Sequence, residues 1–125
     1  MMDKVEFLIL RNLLHNEEYV RKVIPFIKGE YFEDYNQKVV FEEISKFVVE
    51  YNQPATKEVL CIETEKRQDI NDTSFKEITQ IIGGLEDEPS EFNWLVNTTE
   101  KWCRDRAIYL ALMESIQLAD GKDET

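Results

Sequence analysis

The chain is poor in residues that interrupt helices, with 4 glycines and 3 prolines in 125 positions. That scarcity disfavours a turn-rich β-sandwich and suits a succession of helices. Cysteine is scarce too. Cys61 and Cys103 stand far apart with no CxxC spacing, which favours two buried, reduced thiols of an intracellular protein over a disulfide. His15 is the only histidine, and no Glu-x-x-His or His-x-x-x-His pattern gives it metal-binding partners. A catalytic triad or Cys–His pair would have to draw on that one imidazole. Its expected place is the end of the first helix, where a cation meets exposed carbonyls. No phosphate-binding loop is present: the pair Gly83-Gly84 is followed by Leu85-Glu86 where such a loop needs lysine and a hydroxyl residue. No Asp-x-Asp-x-Asp-Gly calcium loop occurs either. The longest apolar run, Ala107 to Met113, falls far short of the roughly 20 residues of a membrane span. The amino terminus has no small-residue cleavage site and carries charge among its apolar residues, unlike a signal peptide.

Positive charge is the last shortage. Fifteen basic residues against 26 acidic ones leave a net charge of −11. A domain that gripped nucleic acid by itself would need a basic patch, and this one repels phosphate on average. Direct nucleic-acid contact is therefore not expected. The acids are spread rather than striped, which also weakens a DNA-mimicking role. Glu42-Glu43 and Glu86-Asp87-Glu88 read as solvated surface, and a paired-carboxylate role is weakened because adjacent residues on a helix do not share a face. The length corresponds to one domain. A hydrophobic content of 42% with 33% charged residues is that of a globular protein rather than a disordered one.

Nearly everything present repeats at helical period. The first helix is expected from about Asp3 to His15, with Val5, Leu8, Ile9, Leu10 and Leu13 on its apolar face. Asn16 caps a second, which carries Tyr19, Val20, Val23, Ile24 and Ile27, bends at Pro25 and ends at Gly29. The connector Glu30-Tyr31-Phe32-Glu33 offers two aromatics to the core. A long third helix follows from about Asp34 to Asn52, stopped by Pro54. Thr56 caps a fourth helix with Val59, Leu60 and Ile62. Residues 65–71 read as a polar loop. Asp72 or Thr73 opens a fifth helix, which ends at Gly83-Gly84. After the loop Glu86-Asp87-Glu88-Pro89, Ser90 caps a last helix that reaches about Ala119, roughly 45 Å at 1.5 Å per residue. The fold class is all-α: a helical head over 1–89, a long arm over 90–119 and a frayed tail over 120–125.

The last helix differs from the others. Phe92, Leu95, Thr99, Trp102, Arg106, Tyr109, Met113 and Ile116 fall in steps of three and four, like a coiled-coil seam. Cys103, Ala107 and Leu110 mark a second face, and Ile108 with Leu112 a third. Five short helices cover part of such an arm, not all of it. Its far half is expected to pack on another chain or on a following helix. A central core helix of a compact bundle is the other reading. Arg106 is the odd member of the seam and needs a carboxylate or helix-end carbonyls as acceptor. Trp94 and Trp102 are candidate anchors for a partner.

Taken together, these pieces resemble the N-terminal domain of DnaB-type replicative DNA helicases, in the form carried by T4-like bacteriophages. The resemblance rests on Tyr19-Val20-Arg21-Lys22-Val23-Ile24-Pro25, Glu30-Tyr31-Phe32-Glu33, Phe41 with Ile44, Glu50-Tyr51 and Pro54. It is strongest from Asp87-Glu88-Pro89-Ser90 through Trp94-Leu95-Val96 and Thr99-Glu100 to Arg106-Ala107. Arg104-Asp105-Arg106-Ala107 is also similar to a run in bacterial members. The family implies a hexameric ring whose N-terminal domains pair through helical hairpins into a collar, as a trimer of dimers. It implies docking of primase and of a helicase loader during DNA replication in the cytoplasm of the infected bacterium. A RecA-like motor with ATP and magnesium, which makes the parent an ATP-dependent 5'-3' helicase, is expected outside this chain. So are the linker and the second hairpin helix.

The resulting expectation is a non-catalytic collar domain with no cofactor or metal of its own and no membrane contact. Leu95, Trp102, Arg106, Tyr109, Leu110, Met113 and Ile116 are its expected protein interface. A stand-alone acidic phage adaptor or inhibitor, bound to a replication or host protein, is the alternative. A small enzyme would need a site that no motif supplies.

Overall fold

Short side-chain caps decide where most helices begin. Asn16, Asp34, Thr56 and Asn71 each accept the backbone N–H three residues ahead, from Tyr19, Gln37, Val59 and Ser74. Each bond satisfies a donor that the helix itself leaves orphaned. The computed structural model describes residues 4–123. It comprises α1 (Lys4–His15), α2 (Glu17–Val23), a 3-10 turn (Gly29–Tyr31), α3 (Tyr35–Tyr51), α4 (Lys57–Glu65), α5 (Asp72–Gly83) and α6 (Phe92–Asp123). The expected all-α class with a long last helix is borne out. Among the described residues there is no strand.

Several boundaries differ from expectation, each for a local reason. α2 stops at Val23 rather than running to Gly29, because Pro25 has no N–H to continue the ladder. The Phe26 N–H turns back to the Val23 carbonyl at 2.9 Å, and Gly29 opens the 3-10 turn instead of closing a helix. α3 is ended by Asn52 before Pro54 is reached. Asn52 is left-handed, with φ 52° and ψ 38°, a conformation asparagine tolerates better than most residues. Arg21 donates to both the Asn52 side-chain oxygen and its carbonyl, which ties α2 to the end of α3. Ser90 does not cap α6. The first helical bond runs from the Leu95 N–H to the Glu91 carbonyl, one residue later, and Glu91 also accepts the N–H groups of Asn93 and Trp94. Ser90 Oγ accepts from Arg11 and Asn12 instead. α6 continues past Ala119 to Asp123. Asp3, expected in the first helix, and Glu124 and Thr125 of the expected tail lie outside the described residues.

The head closes around α3, which packs against α1, α4 and α5, while α6 lies against α1, α2 and the 3-10 turn. Ile9, Leu13, Tyr19, Ile44, Leu60 and Ile78 are fully buried in one continuous core. Tyr31 and Phe32 plug it as the connector's aromatics were expected to.

Candidate protein-interaction surface on the long helix

The seam along α6 divides near Arg106. Leu95 is fully enclosed by the head and offers nothing to a second chain. One turn on, the buried Thr99 hydroxyl gives its single proton to the Leu95 carbonyl at 2.8 Å. The Tyr19 phenol, 2.6 Å away, is then the donor to Thr99. Burial pushes that phenol well above its ordinary titration range, so it stays a donor at any ordinary pH. This order of donors predicts unequal effects in urea unfolding. Tyr19→Phe should cost about 1 kcal/mol, whereas Thr99→Val strands a buried O–H and should cost about 2 kcal/mol or more.

Trp102 is held by the 3-10 turn and its exit. Its ring meets Tyr31 edge-on at 6.0 Å and Phe32 at 4.9 Å. Arg106 finds the acceptor its burial demands within the chain: its Nε donates to the Tyr31 carbonyl at 2.6 Å. Glu33 lies 4.0 Å from its guanidinium, and the Tyr109 ring stacks on it at 5.0 Å. Trp102 and Arg106 therefore serve the junction of head and arm. Beyond them the helix is open. Leu110 is half-buried, while Tyr109, Met113 and Ile116 are exposed.

Ile108, Leu112 and Leu118 are exposed as well, so half of the twelve large hydrophobic side chains exposed among the described residues fall between Ile108 and Leu118. Glu114 is the only charged residue in that stretch. The far half of α6 therefore carries an apolar surface that the head leaves uncovered. Trp94, 53% exposed, stands apart from it near the start of α6.

Sequence reasoning missed a second cluster. Arg67, in the connector read as a polar loop, donates to Glu43 at 2.9 Å, to Glu42 at 3.1 Å and to Asp69 at 2.6 Å. Glu43 is thus buried, not solvated surface as expected, because the connector folds back across α3. Asp69 is held well below the usual carboxylate range by Arg67, with help from the Tyr35 hydroxyl that donates to it. No periodic signal links residue 67 to residues 42 and 43. His15 ends α1 as expected. Its Nε2 sits 2.6 Å from the Leu85 carbonyl, which pins the end of α1 to the segment after α5.

Other chemistry at these positions is limited. Cys61 is half-buried and Cys103 buried, both as free thiols. Burial pushes the Cys103 thiol up to about 11, aided by the nearby Glu100 charge, so it is protonated and a weak nucleophile near neutrality. Among the described residues, no group of three His, Cys, Asp or Glu side chains is placed to hold a metal ion. Among them, too, no helix is long and apolar enough to cross a membrane.

The chain is thus a helical head with a projecting, partly uncovered arm, and by sequence it is similar to a replicative helicase of the DnaB type. That relative is the DnaB-like replicative helicase of Enterobacteria phage T4, 31% identical over 111 residues. The match covers 89% of this chain but 23% of the helicase, so the chain spans less than a quarter of that protein. The resemblance carried by the order of its residues is borne out. No protein-family model matches the chain, and no solved structure does.

Proposed function

We propose that this chain is the non-catalytic N-terminal collar domain of a phage replicative DNA helicase, acting in the cytoplasm of the infected bacterium. In this reading it pairs with a second protomer through the far half of α6, as one step in building a hexameric ring. The head remains available to a primase or a helicase loader. The observation that carries the reading is the exposed apolar stretch from Ile108 to Leu118, on a chain similar to one part of a DnaB-like helicase. Tyr109, Leu110, Met113 and Ile116 are the residues that would be buried by pairing. The net charge of −11 agrees with a domain that does not grip DNA itself. ATP and magnesium would belong to a motor elsewhere in the parent protein.

Sedimentation equilibrium tests the pairing. The parent chain should self-associate, and Tyr109→Glu should weaken association about tenfold or more, since burying an unpaired carboxylate costs over 1.4 kcal/mol. Its thermal unfolding as a monomer should change little, because Tyr109 is exposed in the single chain and its contact there is with the Arg106 guanidinium, which a carboxylate can also meet. Association unaffected by both Tyr109→Glu and Met113→Glu would overturn the pairing surface. The coding frame downstream of Thr125 tests the helicase context. A further long helix, a linker and a Gly-x-x-x-x-Gly-Lys-Ser/Thr loop would support it, because that loop binds phosphate by a known mechanism. A stop codon there would favour a stand-alone acidic adaptor.

A further inference from the structure

Between the head and α6, just before the open part of the arm, lies a groove that the pairing reading does not use. It is lined by Phe26, Tyr31, Glu100, Cys103, Arg104 and Ala107, and encloses about 330 Å3. Phe26, at the turn that Pro25 forces, is 61% exposed. An apolar cavity of roughly 150 Å3 accepts a benzene ring, so this groove has room for one large aromatic or leucine side chain and part of its backbone. Ala107 is its lining residue farthest along α6, next to the exposed Ile108, and the groove is open to solvent rather than enclosed.

The charges at its rim are the second observation. Glu100 and Arg104 are four residues apart, in the order that favours a helix ion pair, yet no ion pair among the described residues involves either. The next pair along, Lys101 and Asp105, is joined at 2.8 Å. The groove is therefore lined by apolar side chains together with one carboxylate and one guanidinium that form no ion pair, carried by residues about 6 Å apart along the helix axis.

From this arrangement we infer that the groove docks an amphipathic helix of a partner protein. That helix inserts one aromatic or leucine anchor, sets a basic residue on Glu100 and sets an acidic residue on Arg104. Its reverse charge order is disfavoured by like charges on both sides. The site goes beyond the pairing reading and does not depend on it, since none of its residues lies on the seam from Tyr109 to Ile116.

The probe is a synthetic alanine-based helix carrying Trp, with Lys one turn before it and Glu one turn after, titrated into the isotope-labelled chain by NMR. Saturable shifts at Phe26, Glu100, Arg104 and Ala107 are expected, with a Kd of about 0.1–1 mM for so small a contact. Ala107→Trp, at an exposed helix position, fills the groove and should weaken binding about tenfold, as should Trp→Ala in the peptide. The double variant Glu100→Lys with Arg104→Glu should prefer the peptide with its charges exchanged. Shifts confined to the far half of α6, indifference to Ala107→Trp, or no saturation by about 2 mM would each overturn the site. Failure of the chain to self-associate would leave this result standing and bear only on pairing.

Discussion

Trp102→Ala should destabilise the chain by about 3 kcal/mol, within the range for deleting a large aromatic from a packed site. The reason is its position at the α6 end of a run of aromatic rings. Phe32 lies against Trp102 at 4.9 Å and against Phe41 of α3 at 5.4 Å, so Trp102 is the link from α6 through the connector to the centre of the head. Its loss also uncovers the bond from Arg106 to the Tyr31 carbonyl, which water would then compete for. Urea unfolding followed by circular dichroism reads the loss as a lower midpoint. Amide exchange should show α6 opening more readily than α3. Trp94→Ala is the control: with a half-exposed ring away from the seam, it should change stability by no more than about 0.5 kcal/mol. Equal effects of the two substitutions would refute the packing role given to Trp102.

Arg67→Met should cost a similar amount, about 3 kcal/mol, for a different reason. It removes the cation that compensates Glu43, whose side chain is only 5% exposed, and an uncompensated buried carboxylate is strongly unfavourable. Lys46 lies 4.0 Å from Glu43, but its own side chain is mostly in solvent, so it does not replace the guanidinium that donates to Glu43 at 2.9 Å. The double variant Arg67→Met with Glu43→Met should recover most of the loss. Acid titration separates this account from simple packing. Asp69 has a folded pKa below its unfolded value, so its contribution is present above about pH 4 and lost as pH falls through the lower folded value. In Arg67→Met that loss on acidification should be much smaller. An unchanged acid profile would show that Arg67 does not set the Asp69 carboxylate.

What could be read from the residues follows from the range of each interaction. Asn16 capping Tyr19 and Thr56 capping Val59 are bonds across three residues, so a local pattern reports them faithfully. The errors at Pro25 and Ser90 are also local. Each came from judging a helix end by residue type without knowing which carbonyl took the first or last helical bond. The seam of α6 was visible as a period, and its apolar excess beyond Ala107 correctly marked a surface too large for the head to cover.

Sequence by itself therefore determined the helical class, the caps at Asn16 and Thr56, the presence of a long last helix and the likeness to a DnaB-like helicase. Tertiary structure alone decided how that arm is shared. Arg106 meets a carbonyl 75 residues away, Tyr19 meets Thr99 across 80 residues, and Arg67 gathers carboxylates from another helix. A hydrophobic period states that a face is apolar but carries no record of what lies against it. Only the packed chain shows the head claiming Leu95, Trp102 and Arg106 while leaving Tyr109, Met113 and Ile116 uncovered.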